Sequence, residues 1–157
     1  MIKKKVSLMT WMAIERDPNL FDNVLRAAQE LYDVEHVYYL YTSGKKTKTN
    51  ILEQNLMFMR RKYSSLLEAI PVDINNPSSL EELCEKVQDV LEPRLETMGD
   101  IIISTTAGTP AMYASWILLF KSGFFPPGTE LFSAQRELKR GKELFENKKI
   151  EIEPTQE

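Results

Sequence analysis

The sequence has very few of the residues that support thiol or metal chemistry. Its 157 residues include one cysteine, Cys84, and one histidine, His36. A single cysteine cannot form an internal disulfide, so a reducing cytoplasm is the simplest location to expect. One cysteine and one histidine are also too few for a structural zinc site, and the acidic residues lack the spacing of a calcium loop. We therefore expect neither a metal nor an organic cofactor.

Long hydrophobic runs and a strong basic excess are also lacking. No apolar run approaches the roughly 20 residues of a membrane span. The basic start MIKKK is not followed by the apolar segment of a signal peptide. A net charge of −3 argues against a large basic surface for duplex nucleic acid, although it allows a local basic pocket. The length and the 43% hydrophobic content suit one globular domain, or equally a piece of a longer protein.

Strand-like and helix-like segments alternate along the chain. Two helix starts pair a capping residue with proline, at Asp17-Pro18 and at Thr109-Pro110. A capping box opens a third helix at Ser78, and Pro93 should end or kink it. The predicted strands are 6–12, 36–41, 70–74, 101–104 and 130–134. The predicted helices are 18–32, 48–67, 78 to about 93, and 110 to the glycine stop at 123.

This alternation predicts an α/β fold. We expect a Rossmann-like, three-layer α/β/α arrangement with a mainly parallel sheet. Such sheets bind ligands beyond the carboxyl ends of their strands, where the strand order reverses. That rule selects the loops 10–17, 42–48 and 104–110. We expect residues 1–136 to form the ligand-binding domain and 137–157 a charged extension or linker, in which KIEIE is a late strand or the start of the linker.

The loop in DIIISTTAGTPAMYASW, residues 100–116, has two open interpretations. In one, it is an ordinary turn between strand and helix, capped by Thr109. In the other, it binds phosphate: the helix start favours negative charge, the threonines add hydroxyl donors, and Gly108 allows a ligand close to the backbone. A lone glycine is a weaker signal than a glycine-rich fingerprint, and both interpretations stay open at this point.

The other two loops also have two possible interpretations each. Trp11, at the end of the first strand, either stacks on a nucleobase or belongs to the core. Lys45 and Lys46 follow the second strand, where they either attract phosphate or sit in a solvated turn. A dinucleotide site is not indicated, since its glycine-rich turn after the first strand is missing. His36 begins an apolar strand, so no Ser-His-Asp set is available, and Cys84 lies mid-helix among apolar residues.

Two segments resemble a known family, the CARF domains (CRISPR-associated Rossmann fold). They are VSLMTWMAIERDPN near the start and STTAGTPAMYASWILLFKSGFFPPGTELFSAQRE toward the end, and the second carries most of the resemblance. It has the small-residue Gly-Thr loop after the fourth strand, the methionine Met112 on the next helix, the turn at Gly123 and a final strand. The resemblance covers most of the chain, with residues 45–97 the least diagnostic.

The resemblance implies a homodimeric sensor in type III CRISPR antiviral signalling. Such a sensor holds a cyclic oligoadenylate, most often cyclic tetra-adenylate, in one pocket across the two-fold axis, and relays its presence to a fused or separate effector. By this likeness the ligand-binding candidates are Thr10, Trp11, Met12, Ala13, Thr42, Ser43, Lys45, Lys46, Thr105, Thr106, Ala107, Gly108, Thr109, Pro110, Met112 and Gln135.

Two alternatives to a sensor remain. Some stand-alone relatives are ring nucleases, which cut the messenger without a metal by in-line attack of a ribose 2′-hydroxyl. Lys45, Lys46, Thr106 and Gln135 are the candidates for assisting that step, although no motif fixes a catalytic residue. The second alternative, outside the family, is a flavodoxin-like domain that binds another small molecule. The ring size, any cleavage and the effector do not follow from the sequence.

Overall fold

The computed structural model describes residues 2–11, 19–43, 49–63, 66–76, 78–106, 108–139 and 142–150. The strands are β1 (Lys5–Trp11), β2 (Asp33–Ser43), β3 (Leu67–Asp73), β4 (Ile101–Ser104), β5 (Glu130–Lys139) and β6 (Lys142–Ile150). The helices are α1 (Asn19–Leu31), α2 (Thr49–Tyr63), α3 (Leu80–Leu91), α4 (Leu95–Met98) and α5 (Pro110–Lys121), with a 3-10 turn at Glu92–Arg94.

The strands form one sheet in the order β3-β2-β1-β4-β5-β6. The pairs β3–β2, β2–β1, β1–β4 and β4–β5 are parallel, and β6 is antiparallel to β5. The predicted α/β fold with a mainly parallel sheet is confirmed. The chain moves outward from β1 to β3, then crosses back to β4 on the other side of β1. The strand order therefore reverses between β1 and β4.

The core has one layer on each face of the sheet, because successive strand residues point to opposite faces. From β1, Val6 and Leu8 join a cluster with buried residues of α1 and α2. Met9 and Trp11 join a second cluster with buried residues of α3 and α5. This division confirms the three-layer α/β/α arrangement.

The third strand begins earlier than the sequence pattern predicted. Leu66 and Leu67 continue the helical spacing of α2, and this led to a predicted helix as far as residue 67. In the structure Leu67 pairs with Val37, and β3 runs in parallel register with β2 up to the pair Ser43 and Asp73. Pairing with a neighbouring strand overrides the local spacing. Pro71 is tolerated because β3 lies at the edge of the sheet, where a missing backbone donor disrupts least.

The last two strands are longer than predicted. β5 pairs with β4 only from Glu130 to Phe132, yet it continues to Lys139 while paired with β6. Those seven additional residues carry the hairpin about 20 Å beyond the end of β4. β6 begins before the alternating KIEIE segment, of which only residues 149 and 150 lie in β6 and the rest lies outside the described residues. The division of the chain at residue 136 stays a prediction.

Candidate functional site at the strand reversal

The reversal between β1 and β4 brings the ends of these two strands side by side, and a predicted loop follows each of them. Met9 of β1 pairs with Ile103 of β4, so the carboxyl ends of both strands lie at the same edge of the sheet. The chain after β4, residues 105–109, leads directly into α5. Residues 12–18, which follow β1, lie outside the described residues. The edge between β1 and β4 is where the fold class places a ligand.

Thr105, the first residue after β4, is hydrogen-bonded to the neighbouring strand β5. The backbone amide and hydroxyl of Thr105 both donate to the carbonyl of Phe132 in β5, at 3.0 and 3.2 Å. The Thr105 side chain is buried. Thr106 is half-buried, and its amide donates to the Ser104 hydroxyl at 3.4 Å. The hydroxyl of Thr105 therefore anchors the loop to β5 and is not the ligand donor that the sequence suggested.

The start of α5 forms a neutral capping box. The Thr109 hydroxyl accepts from the Met112 amide at 3.2 Å, and the Thr109 amide donates to the Met112 thioether sulfur at 3.4 Å. Gly108, Thr109 and Pro110 are exposed, and the first turn contains no acidic residue. Among the described residues, no hydrogen bond from the Gly108 or Ala111 amide is present. The positive end of the α5 dipole is thus not neutralised by an acidic side chain of the first turn.

The space where a side chain of residue 108 would lie is filled by Met112 and Trp11. Its φ of +106° is one that other residues rarely adopt. A Cβ atom built there would lie 2.8 Å from the Met112 sulfur and 3.3 Å from the Trp11 Cβ. The expectation that Gly108 lets a ligand approach the backbone closely stays a prediction for its exposed side. Its missing side chain also allows the loop to pack closely against α5 and β1.

Trp11 belongs to the core, which was the alternative interpretation of this residue. Its side chain is 0% exposed and packs on Trp116 of α5, with ring centroids 5.9 Å apart and planes at 45°. A ring in this position is not accessible for stacking on a base, so the predicted stacking role is wrong for this conformation. The alternation of β1 explains the placement, since Trp11 lies on the same face as Met9. The indole N–H groups of Trp11 and Trp116 have no hydrogen-bond partner in the described part of the chain.

The other candidates on β1, β2 and α5 are mostly buried. Thr10 is 1% exposed, and its hydroxyl donates to the Trp11 carbonyl at 3.2 Å. Thr42 is also buried, Ser43 is half-buried, and the Ser43 carbonyl accepts from the Ile74 amide at 2.9 Å. The Met112 side chain is 4% exposed. Thr10, Thr42 and Met112 therefore support the edge of the sheet without presenting side chains on its surface, and Ser43 is partly accessible.

Several candidates are not placed by the structure. Met12, Ala13, Lys45, Lys46 and Ala107 lie outside the described residues. Gln135 is described by its backbone alone, which pairs with Glu146 in the hairpin beyond the end of β4. Their assignment as ligand-binding residues stays a prediction.

An exposed aromatic residue near the loop was missed by the sequence analysis. Tyr113 follows the capping box on α5, and its side chain is 43% exposed. Helical side chains lean toward the N-terminus, so this ring covers the first turn of the helix. Leu118 is 48% exposed, later in the same helix. The spacing of the buried residues Met112, Trp116 and Leu119 identifies the outer face of α5 and would have revealed Tyr113.

Groups with other chemistry lie away from this edge or in the core. No cluster of histidine, cysteine or acidic residues suited to a metal was found in the residues that the structure describes. Cys84 of α3 is half-buried against the core, and burial raises the pKa of its thiol. A raised pKa keeps the thiol protonated and poorly nucleophilic. No described helix is long and apolar enough to cross a membrane.

The chain is similar to several solved structures. Csm6 from Enterococcus italicus, bound to cyclic hexa-2′-fluoro-hexa-dAMP, matches with a TM-score of 0.59 and 13% identity over 88% of this chain. Can2 from Sulfobacillus thermosulfidooxidans, in complex with cyclic tetra-adenylate, matches with a TM-score of 0.52 and 20% identity over 87%. A type III CRISPR defence DNA nuclease activated by cyclic oligoadenylate matches with a TM-score of 0.50 and 17% identity over 87%.

These similarities establish the fold. The matches span 35%, 36% and 20% of the three solved chains, so this chain corresponds to about a third of the first two. No family model and no curated protein sequence matches it. The chain has a CARF-like, Rossmann-like α/β fold, as the sequence resemblance predicted.

Proposed function

We propose that this chain is a homodimeric sensor domain that binds a cyclic oligoadenylate in type III CRISPR antiviral signalling. Cyclic tetra-adenylate is the first candidate ligand. The observation that carries the proposal is the neutral, exposed start of α5 at the strand reversal. Gly108, Thr109 and Pro110 are exposed there, and no acidic residue lies in the first helical turn.

The start of α5 suits a phosphate group. The amides of Gly108 and Ala111 have no partner among the described residues. Ala111 lies in the first turn of α5, at the end of the helix that carries partial positive charge, and Gly108 directly precedes the cap residue Thr109. The hydroxyl of Thr105 is engaged by β5, which fixes the start of this loop. A fixed start lowers the conformational entropy that the loop loses on binding, which favours affinity.

The solved relatives support a cyclic oligoadenylate as the source of that phosphate. Can2 is in complex with cyclic tetra-adenylate, the nuclease is activated by cyclic oligoadenylate, and Csm6 is bound to a fluorinated hexameric deoxyadenylate ring. All three share this chain's fold over 87–88% of its length. The two ring sizes among them are the reason to test both ligands on this chain.

A second copy of the chain fits the symmetry of the ligand. A ring of identical nucleotides has rotational symmetry, and a two-fold dimer offers the same residues to equivalent nucleotides. The outer face of α5 is apolar, with Tyr113 and Leu118 exposed and Ile117 half-buried. Pairing along this face would bury apolar surface and bring two α5 helix starts to one ring.

The bases need a partner other than Trp11, which is buried. Tyr113 is the exposed aromatic residue nearest in sequence to the capping box, and we assign it as the stacking surface for an adenine. Occupancy is then relayed to an effector that is fused to this domain or bound to it. A cytoplasmic location belongs to the same proposal, since the messenger would be made there.

The test is incubation of the protein with labelled cyclic tetra-adenylate and, separately, cyclic hexa-adenylate in EDTA. We expect one of the rings to bind at micromolar protein and to be recovered intact. A linear oligoadenylate of the same length serves as the control for ring recognition and should bind more weakly.

Two other results would change the assignment. Linear products ending in a 2′,3′-cyclic phosphate would show that the chain is a metal-independent ring nuclease. Failure of both rings to bind a folded protein would reject the proposal and favour a domain for another small molecule.

A further inference from the structure

The capping box of α5 has an unusual residue in its third helical position. Capping boxes commonly place Glu or Gln there, so that a side-chain oxygen accepts from the N-cap amide. In α5 the position holds Met112, and its thioether sulfur accepts from the Thr109 amide at 3.4 Å. The reciprocal bond, from the Met112 amide to the Thr109 hydroxyl, is 3.2 Å. The box is complete and carries no charge.

The start of α3 offers a direct contrast. Ser79 caps that helix by accepting from the amide of Glu82, which occupies the same third position as Met112 does in α5. The Glu82 carboxylate also accepts from the backbone amides of Asn75 and Asn76, the latter at 2.9 Å. Glu82 therefore satisfies two amides of the loop before α3, and it places a negative charge in the first turn of the helix.

The consequence of this difference is electrostatic. A carboxylate in the first turn neutralises the positive end of a helix and repels an approaching anion. A thioether satisfies the N-cap amide and leaves that end positive. The two helices start at the same edge of the sheet, yet only α5 starts beside the strand reversal.

Packing gives Met112 a second effect on the loop. The side chain is 4% exposed, and its sulfur lies 2.8 Å from the place where a Cβ of Gly108 would be. The loop backbone therefore rests directly on the thioether, which in turn lies against the core that contains Trp11 and Trp116. This close packing limits how far the Gly108 backbone can move toward α5.

We propose that Met112 is a positioning residue that keeps the start of α5 selective for a polyanion, because its thioether closes the capping box without adding a charge. This inference rests on the proposed function, since it assumes that a cyclic oligoadenylate binds at this corner. It goes beyond that function by assigning a buried residue that need not touch the ligand.

The test compares Met112→Glu with Met112→Gln. Both side chains have nearly the same shape and both supply an oxygen for the Thr109 amide, so they differ chiefly in charge. We expect the Glu variant to bind cyclic tetra-adenylate or cyclic hexa-adenylate at least tenfold more weakly than the Gln variant at low salt. The gap should shrink as salt rises, since charge repulsion is screened. Glu82→Gln changes the charge at the same position of α3 and should leave affinity unchanged.

A second pair keeps the test informative if Met112→Glu does not fold. Pro110 is exposed in the first turn, so Pro110→Glu and Pro110→Gln change the charge without entering the core. We expect Pro110→Glu to bind the ring more weakly than Pro110→Gln, and this gap should also shrink as salt rises. Equal affinity within the folded pair, or a gap that is independent of salt, would overturn the inference while the ring still binds to the unmodified chain. If that chain binds neither ring, the proposed function fails and this inference fails with it.

Discussion

The starts of α3 and α5 use the same kind of hydroxyl cap but differ in charge. Both helices begin with a hydroxyl residue whose side chain accepts from the amide at the third helical position. In α3, Glu82 turns back and satisfies two further amides of the preceding loop. In α5, the amides of Gly108 and Ala111 have no partner within the described part of the chain. The difference between the two starts is therefore one of charge: α3 carries acidic residues in its first turn, and α5 carries none.

The largest effect is expected from removing the aromatic support beneath the α5 corner. Trp11→Ala should lower the free energy of unfolding by about 3–5 kcal/mol, because it leaves a cavity beside Trp116. Urea unfolding measures this change. Trp11→Phe is the matched control: it keeps a ring and removes the unpartnered indole N–H, and it should retain ligand binding. A folded, stable Trp11→Ala variant with a specific loss of binding would instead restore the stacking role.

The next effect concerns the close packing of the loop. Gly108→Ala should lower the free energy of unfolding by about 2–4 kcal/mol, from backbone strain at positive φ together with the contact to Met112. Gly123→Ala provides the control, since its φ is +81° but its added Cβ would meet nothing within 4 Å. That variant should lose only about 1 kcal/mol. Equal losses in thermal or urea unfolding would show that the contact with Met112 is unimportant.

The exposed face of α5 separates ligand binding from pairing of two copies. Tyr113→Ala should weaken binding of the cyclic oligoadenylate by about 1–3 kcal/mol if the ring stacks on a base. Leu118→Ala removes an equally exposed apolar side chain farther from the helix start. It should weaken self-association, and ligand binding should be unchanged when measured at a protein concentration that keeps the dimer formed. Titration calorimetry measures the first property and light scattering the second. The assignment of Tyr113 fails if both variants weaken ligand binding to the same extent.

The smallest expected effect on stability is shared by the two helix caps. Ser79→Ala and Thr109→Ala should each cost about 1 kcal/mol in the free energy of unfolding, because each removes one capping bond. Only Thr109→Ala should also alter ligand affinity, since only α5 starts at the proposed site. An identical binding curve for both variants would show that the cap of α5 is no more important for ligand binding than the cap of α3.

The sequence predicted the larger features of this fold because they depend on local patterns. Alternation of helix and strand predicted the parallel sheet, and the Thr109-Pro110 pair predicted the start of α5. The start of β3 was missed, because its pairing with Val37 involves residues far apart in the chain. The burial of Trp11 was left undecided for a related reason. Its partner Trp116 lies about a hundred residues away, and only the fold brings the two rings together.

The candidate site was harder to predict than the fold. Its location followed from the order of the strands and from the position of the Gly-Thr loop. The roles within it depended on hydrogen bonds that the sequence does not encode visibly, such as the donation from Thr105 to the Phe132 carbonyl. A methionine that accepts from an N-cap amide has no sequence signature at all, since methionine is usually a core residue.

A crystal structure of the protein with cyclic tetra-adenylate or cyclic hexa-adenylate tests the central claim most directly. We predict one ring across two copies of the chain, with a phosphate oxygen within hydrogen-bond distance of the Gly108 or Ala111 amide in each copy. A ring bound elsewhere on a protein whose α5 start remains empty would contradict the account.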